Sequence, residues 1–91
     1  MANSKRATLH AFLQTPEVKE VLSLTVFQTV PIARTFQEQG ENIPRKMEFE
    51  QAWTMAWLLH FVIEHGREWR KAATVELDAA RARLKEKGGK S

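Results

Sequence analysis

Between Trp53 and Ile63, only Thr54 and His60 interrupt an otherwise apolar run of 11 residues. A bilayer-spanning helix takes about 20 apolar residues, so the run is too short to cross a membrane. Read as a helix, it has no solvated side. Trp53, Met55, Ala56, Trp57, Leu58, Leu59, Phe61, Val62 and Ile63 point to nearly every direction around the axis. A helix that is apolar all round has to be covered all round. In 91 residues few companion helices can do that, so the surplus predicts a second copy as cover, a homodimer. Small chains bury a smaller fraction of their surface and gain stability by disulfides, metals or association. This sequence holds no Cys, which removes disulfides and thiolate metal sites and leaves association.

Proline and glycine divide the rest of the chain. Leu9, Phe12 and Leu13 share one face of a first helix expected over about 5–14. Thr15-Pro16-Glu17 is a helix start, with a capping hydroxyl, a proline at the first position and an acid at the positive end. A second helix is expected over 16–39, with Val18, Leu22, Val26, Val30 and Ala33 on one stripe. It should kink or break near Pro31, which cannot donate to the Phe27 carbonyl. Gly40 should end it. A third helix is expected over 44–65, starting at Pro44, with Arg45, Lys46, Glu48 and Glu50 solvated. Gly66 is either a break or a tolerated interior glycine. A fourth helix over 67–87 carries Trp69, Ala73, Leu77, Ala80 and Leu84 in a narrow stripe, the spacing of a short helix–helix seam. The expected fold is an all-α, compact bundle of about four helices, a single domain over 1–87, with a disordered end at 88–91.

No residue pattern calls for an enzyme or a cofactor. Ser occurs only at 4, 23 and 91, and none has a sequence-neighbouring His. Glu48 and Glu50 lie on a charged face and read as solvated. His60 and Glu64 are one turn apart, but His60 and His65 are five apart and diverge, unlike the i, i+4 pair of a zinc helix. His60 is expected to hydrogen-bond inside or beside the core. The closing Gly-Gly-Lys-Ser lacks the earlier glycine of a phosphate-binding loop.

Binding is the remaining class. Trp53, Trp57 and Phe61 should stack along one helix face, and Trp69 opens the next helix. Such a stripe is core, or it is an interface, since Trp is enriched at both. The candidate protein-binding or dimer residues are therefore Trp53, Trp57, Phe61, Trp69, Leu77 and Leu84. The rival partner is nucleic acid. Residues 81–91 hold Arg81, Arg83, Lys85, Lys87 and Lys90 against Glu86, a net +4, while the other 80 residues sum to −1 of the chain's +3. That cluster could neutralise phosphates. Absence of Cys and the lack of an apolar run after the polar start Met1 to Leu9 fit a cytoplasmic protein without a secretory signal.

The stretch from Ile43-Pro44 to Ala73 contains Glu50-Gln51-Ala52, Trp57-Leu58-Leu59-His60, Glu64-His65-Gly66 and Trp69-Arg70-Lys71-Ala72. It resembles small helical proteins of tailed bacteriophages and prophages, especially the transposable Mu-like ones. The resemblance covers about a third of the chain and carries over no functional residue. It implies an accessory protein in a bacterial cytoplasm that binds and redirects a host or phage protein, inhibitors of host defence included.

Overall fold

Several helix boundaries fall where the local sequence satisfies the helix-end groups. The computed structural model describes residues 2–88, with side chains for 7–86. It contains α1 (Ala2–Leu13), α2 (Pro16–Leu22), α3 (Val26–Glu38), α4 (Met47–His65) and α5 (Trp69–Gly88), with a 3₁₀ turn at Gly66–Glu68. The described residues hold no strand, and the architecture is an all-α bundle. Thr15 caps α2: its Oγ1 accepts from the Val18 N–H at 3.5 Å and donates to the Phe12 carbonyl at 2.8 Å. Gly40, at φ 100°, ends α3. The Gly40 N–H bonds the Gln37 carbonyl and the Glu41 N–H the Phe36 carbonyl, each at 3.0 Å. Those two bonds are the Schellman pattern. Gly66, at φ 56°, separates α4 from α5 and so is a break.

The segment expected over 16–39, kinked or broken near Pro31, is two helices, and the break lies at Ser23–Thr25, well before Pro31. Pro31 sits inside an unbroken α3. The reason lies in the caps. Ser23 Oγ donates to the Glu20 carbonyl at 2.7 Å, and the Thr25 N–H donates to Gln28 Oε1 at 2.9 Å, a Thr-x-x-Gln start signal. Side chains of α4 then hold the junction: Gln51 Nε2 donates to the Leu24 carbonyl at 3.4 Å and Thr54 Oγ1 to the Thr29 carbonyl at 3.1 Å. Pro31 deprives only the Phe27 carbonyl of its helical partner, in a turn where Phe27 is 89% exposed and water is at hand.

Helix α4 begins at Met47, three residues later than Pro44. The linker before it is pinned, with Ile43 buried and its carbonyl taking the Gln37 Nε2 at 3.2 Å. The same amide donates to Glu50 Oε2 at 3.0 Å, and Arg34 Nε approaches that oxygen at 3.7 Å. Glu50 is therefore not solvated as its neighbours suggested: it is 3% exposed. A carboxylate can be buried when donors replace its water. Here Gln37 on α3 supplies one.

Helix α4 is the centre of the bundle. One core cluster joins Val18 and Val21 of α2 to Leu58, Phe61 and Val62 of α4 and to Trp69 and Ala73 of α5. A second joins Ala33 and Phe36 of α3, Ile43 and Ala80, with Trp53, Trp57 and Leu77 packed on it. The stripe on α5 is thus the face that meets α4 and α3. Phe61 shares the first cluster with Trp69, Trp57 packs with Leu77 on the second, and the short turn Gly66–Glu68 joins α4 to α5, so the two helices form an antiparallel hairpin. Gly88 ends α5, and the expected disordered end falls mostly on residues 89–91, which lie outside the described residues.

Candidate protein-binding cleft

Side chains four apart on a helix meet, and α4 places three aromatic rings in that register. Trp53 and Trp57 stack with centroids 6.2 Å apart and planes 12° from parallel. Trp57 meets Phe61 edge-on at 4.8 Å. Phe36 of α3 closes on both indoles, at 5.2 Å from Trp53 and 5.0 Å from Trp57. Phe61 and Trp69 are each 4% exposed and are enclosed by the chain's own core. Trp53, Trp57, Leu77 and Leu84 are half-buried and keep some surface.

The gap between α3 and α5 gives that surface a shape. Toward their C-terminal ends the two helices are joined: Phe36 and Ala80 pack together, and Gln39 Nε2 donates to the Ala80 carbonyl at 2.7 Å. Toward their N-terminal ends they stand apart over α4. The result is an open cleft of about 260 Å³. Leu24, Gln28 and Ile32 form one wall, Trp57 and Leu58 the floor, and Trp69, Arg70, Ala73, Thr74 and Leu77 the other wall. An apolar void of about 150 Å³ already accommodates benzene, so this cleft is large enough for one bulky apolar side chain. Gln28, Thr74 and Arg70 supply polar groups at the rim. Arg70 is positioned twice: its guanidinium lies 4.6 Å from the Trp69 ring centroid, and its Nη2 meets Glu20 Oε2 of α2 at 2.7 Å. The ion pair is exposed, so its value is orientation more than stability; the stacking on Trp69 adds to it.

Three of the six aromatic and aliphatic candidates, Trp57, Trp69 and Leu77, come together in the cleft. Trp53 and Phe61 flank it in the core, and Leu84 lies farther along α5. Sequence reasoning missed Leu24, Gln28, Ile32, Leu58, Arg70, Ala73 and Thr74. The spacing 70, 73, 74, 77 marks one face of a helix, but only the packing shows which face of α3 it meets.

The other candidate groups are dispersed. Glu64 stands between two histidines, with Oε1 at 3.1 Å from His60 Nε2 and Oε2 at 3.7 Å from His65 Nε2. His60 is exposed beside the core, edge-on to Phe61 at 5.9 Å. Among the described residues no group of three His, Cys, Asp or Glu side chains could hold a metal ion. No helix among them is long and apolar enough to cross a membrane. Arg81, Arg83 and Lys85 are all exposed. At about 100° per residue, Arg81 and Lys85 share a face and Arg83 points away from it. The side chain of Lys87 and the whole of Lys90 lie outside the described residues. Compared with known protein families, curated proteins and solved structures, the chain finds no match.

Proposed function

We propose that the protein is a small protein-interaction module whose α3–α5 cleft receives a bulky apolar side chain from a partner protein. The observation that carries this reading is the cleft itself, an indole-floored apolar recess with hydrogen-bonding side chains at its rim. Pockets of that make-up orient a ligand through few polar groups and hold it by apolar burial. An anchor side chain in a desolvated recess is also the usual centre of a protein interface. The likeness of residues 43–73 to accessory proteins of Mu-like phages supports a host or phage protein as the partner, bound in a bacterial cytoplasm and modulated or inhibited by occupancy of its surface. No residue of the cleft is assigned a catalytic role.

The test is affinity capture from the native host cell with mass-spectrometric identification, run in parallel on the wild type and on Thr74→Trp. Thr74 is an exposed helical residue on the cleft wall, so a larger side chain there fills the recess without entering the core. A partner retained by the wild type and lost by Thr74→Trp is the expected result. Identical captures from both proteins would remove the cleft from the interface. Loss of the captured material on deleting residues 81–91, with a salt-dependent gel shift, would favour the nucleic-acid reading instead.

A further inference from the structure

The face of α4 turned away from the core carries Phe49, Ala52, Ala56, His60 and Ile63, and all five are exposed. Phe49 is 49% exposed and Ile63 69%. The spacing 49, 52, 56, 60, 63 follows one helical stripe, and its only polar member is His60. Among the described residues no other helix covers it. The cleft opens on the Trp57 and Leu58 side of α4, so the two surfaces are separate.

We propose that this stripe pairs with the same stripe of a second copy, antiparallel, with Ala56 on the two-fold axis. A two-fold contact has to be complementary to itself. About Ala56 the stripe meets that demand. Phe49 falls opposite the partner's Ile63, Ala52 opposite the partner's His60, and Ala56 opposite its own copy. Bulk at the ends meets bulk, the imidazole lies over a methyl group, and the smallest side chain stands where the helices come closest.

Charge selects the same direction. Lys46, the residue before α4, continues the flank that carries His60 and Glu64, and an antiparallel pair brings like flanks together. Lys46 of each copy then lies near Glu64 of the other, while the helix dipoles oppose. A parallel pair would bring unlike flanks together, leave Lys46 far from Glu64 along the pair, and align the dipoles. The stripe from 49 to 63 is about 21 Å long and only one helix wide. That is small against the roughly 800 Å² per partner of a standard interface, so the dimer is a weak, concentration-dependent one.

Sedimentation equilibrium tests this. The wild type should move from 10.5 kDa toward twice that mass as concentration rises through the micromolar range. Ala56→Arg should stay at the monomer mass throughout, with unchanged far-UV circular dichroism, because it changes only an exposed helical position. A wild type that remains monomeric up to about 1 mM overturns the proposal. So does a dimer that survives Ala56→Arg, or one broken instead by Phe27→Arg or Thr74→Trp. Direction is read by cross-linking, since the chain has no Cys of its own. Ala52→Cys mixed with His60→Cys should form a mixed disulfide. Ala52→Cys alone should not, because two copies of position 52 lie about 12 Å apart along the pair, beyond the about 7 Å that a disulfide spans. Ready self-cross-linking of Ala52→Cys would overturn the antiparallel register.

Discussion

Helix α4 departs from the ordinary arrangement on both of its faces: polar groups interrupt the apolar inner face, and apolar groups lie on the outer one. The inner face buries Glu50 and Thr54, at 3% and 0% exposure, among its apolar neighbours. The outer face shows water Phe49, Ala52, Ala56 and Ile63. The polar groups inside are not idle. Thr54 bonds the Thr29 carbonyl, and Glu50 takes the Gln37 amide. Both bonds run to α3, and each is made only when α3 lies at one height along α4. Apolar contact alone would let the two helices slide; these bonds set their register. The apolar groups outside are only partly covered by the chain's own packing, with Phe49 49% and Ile63 69% exposed. Polarity along α4 thus separates two tasks, fixing the fold within and offering surface without.

The separation is tested most severely by comparing neighbours on the two faces. Phe61 is 4% exposed and packs edge-on against Trp57. Phe61→Ala should cost about 3–5 kcal/mol, the usual loss for a buried aromatic side chain. Domains of this kind have about 5–15 kcal/mol in total, so the loss is a large share of the whole and the variant should show a much lower urea midpoint. A loss under about 1 kcal/mol would mean that the enclosed face is not where the stability lies.

Gln37→Leu should have a smaller effect. It removes the amide that donates to Glu50 at 3.0 Å and to the Ile43 carbonyl at 3.2 Å, leaving a buried carboxylate to the more distant Arg34. Leaving a buried polar group unsatisfied costs about 1–3 kcal/mol, and more for a charged one, of which the remaining Arg34 contact offsets a part. The double variant Gln37→Leu, Glu50→Leu should recover most of that loss in urea melts, because apolar pairs of similar shape replace hydrogen-bonded ones at little cost. If the double variant is worse than the sum of the singles, the pair is not an isolated unit and the register argument loses its support.

Much of this fold is legible in the sequence because local signals decide it. Thr15-Pro16 starts α2, Gly40 ends α3, and the spacing 69, 73, 77, 80 marks the buried face of α5. Pro31 shows where local signals compete. It argues for a break, but Thr25 and Gln28 offer a better start six residues earlier, and Gln51 and Thr54 anchor that junction from a distant helix. Glu50 shows the harder limit. Nothing beside it in sequence distinguishes it from the exposed Glu48; the difference is made by Gln37, 13 residues away. The cleft is of the same kind. Trp57, Trp69 and Leu77 are visible as candidates, whereas Gln28 and Thr74 become wall residues only once α3 and α5 diverge over α4. The apolar excess of residues 53–63 is legible too, but its direction is not. The indoles turn toward α3 and α5, and Ala52, Ala56 and Ile63 are what remain outside.

The smallest expected effect is the most informative about that outer face. Ile63 is 69% exposed, so Ile63→Gln should change the urea midpoint of the dilute protein by no more than about 0.5 kcal/mol of stability. At high concentration the two proteins should part. Association of folded chains stabilises the folded state by mass action, so the wild-type midpoint should climb with protein concentration. The Ile63→Gln midpoint should stay flat, because the partner's Phe49 no longer meets an apolar end. A large loss already present at dilution would place Ile63 in the monomer's own core, and the contrast between the two faces of α4 would then disappear.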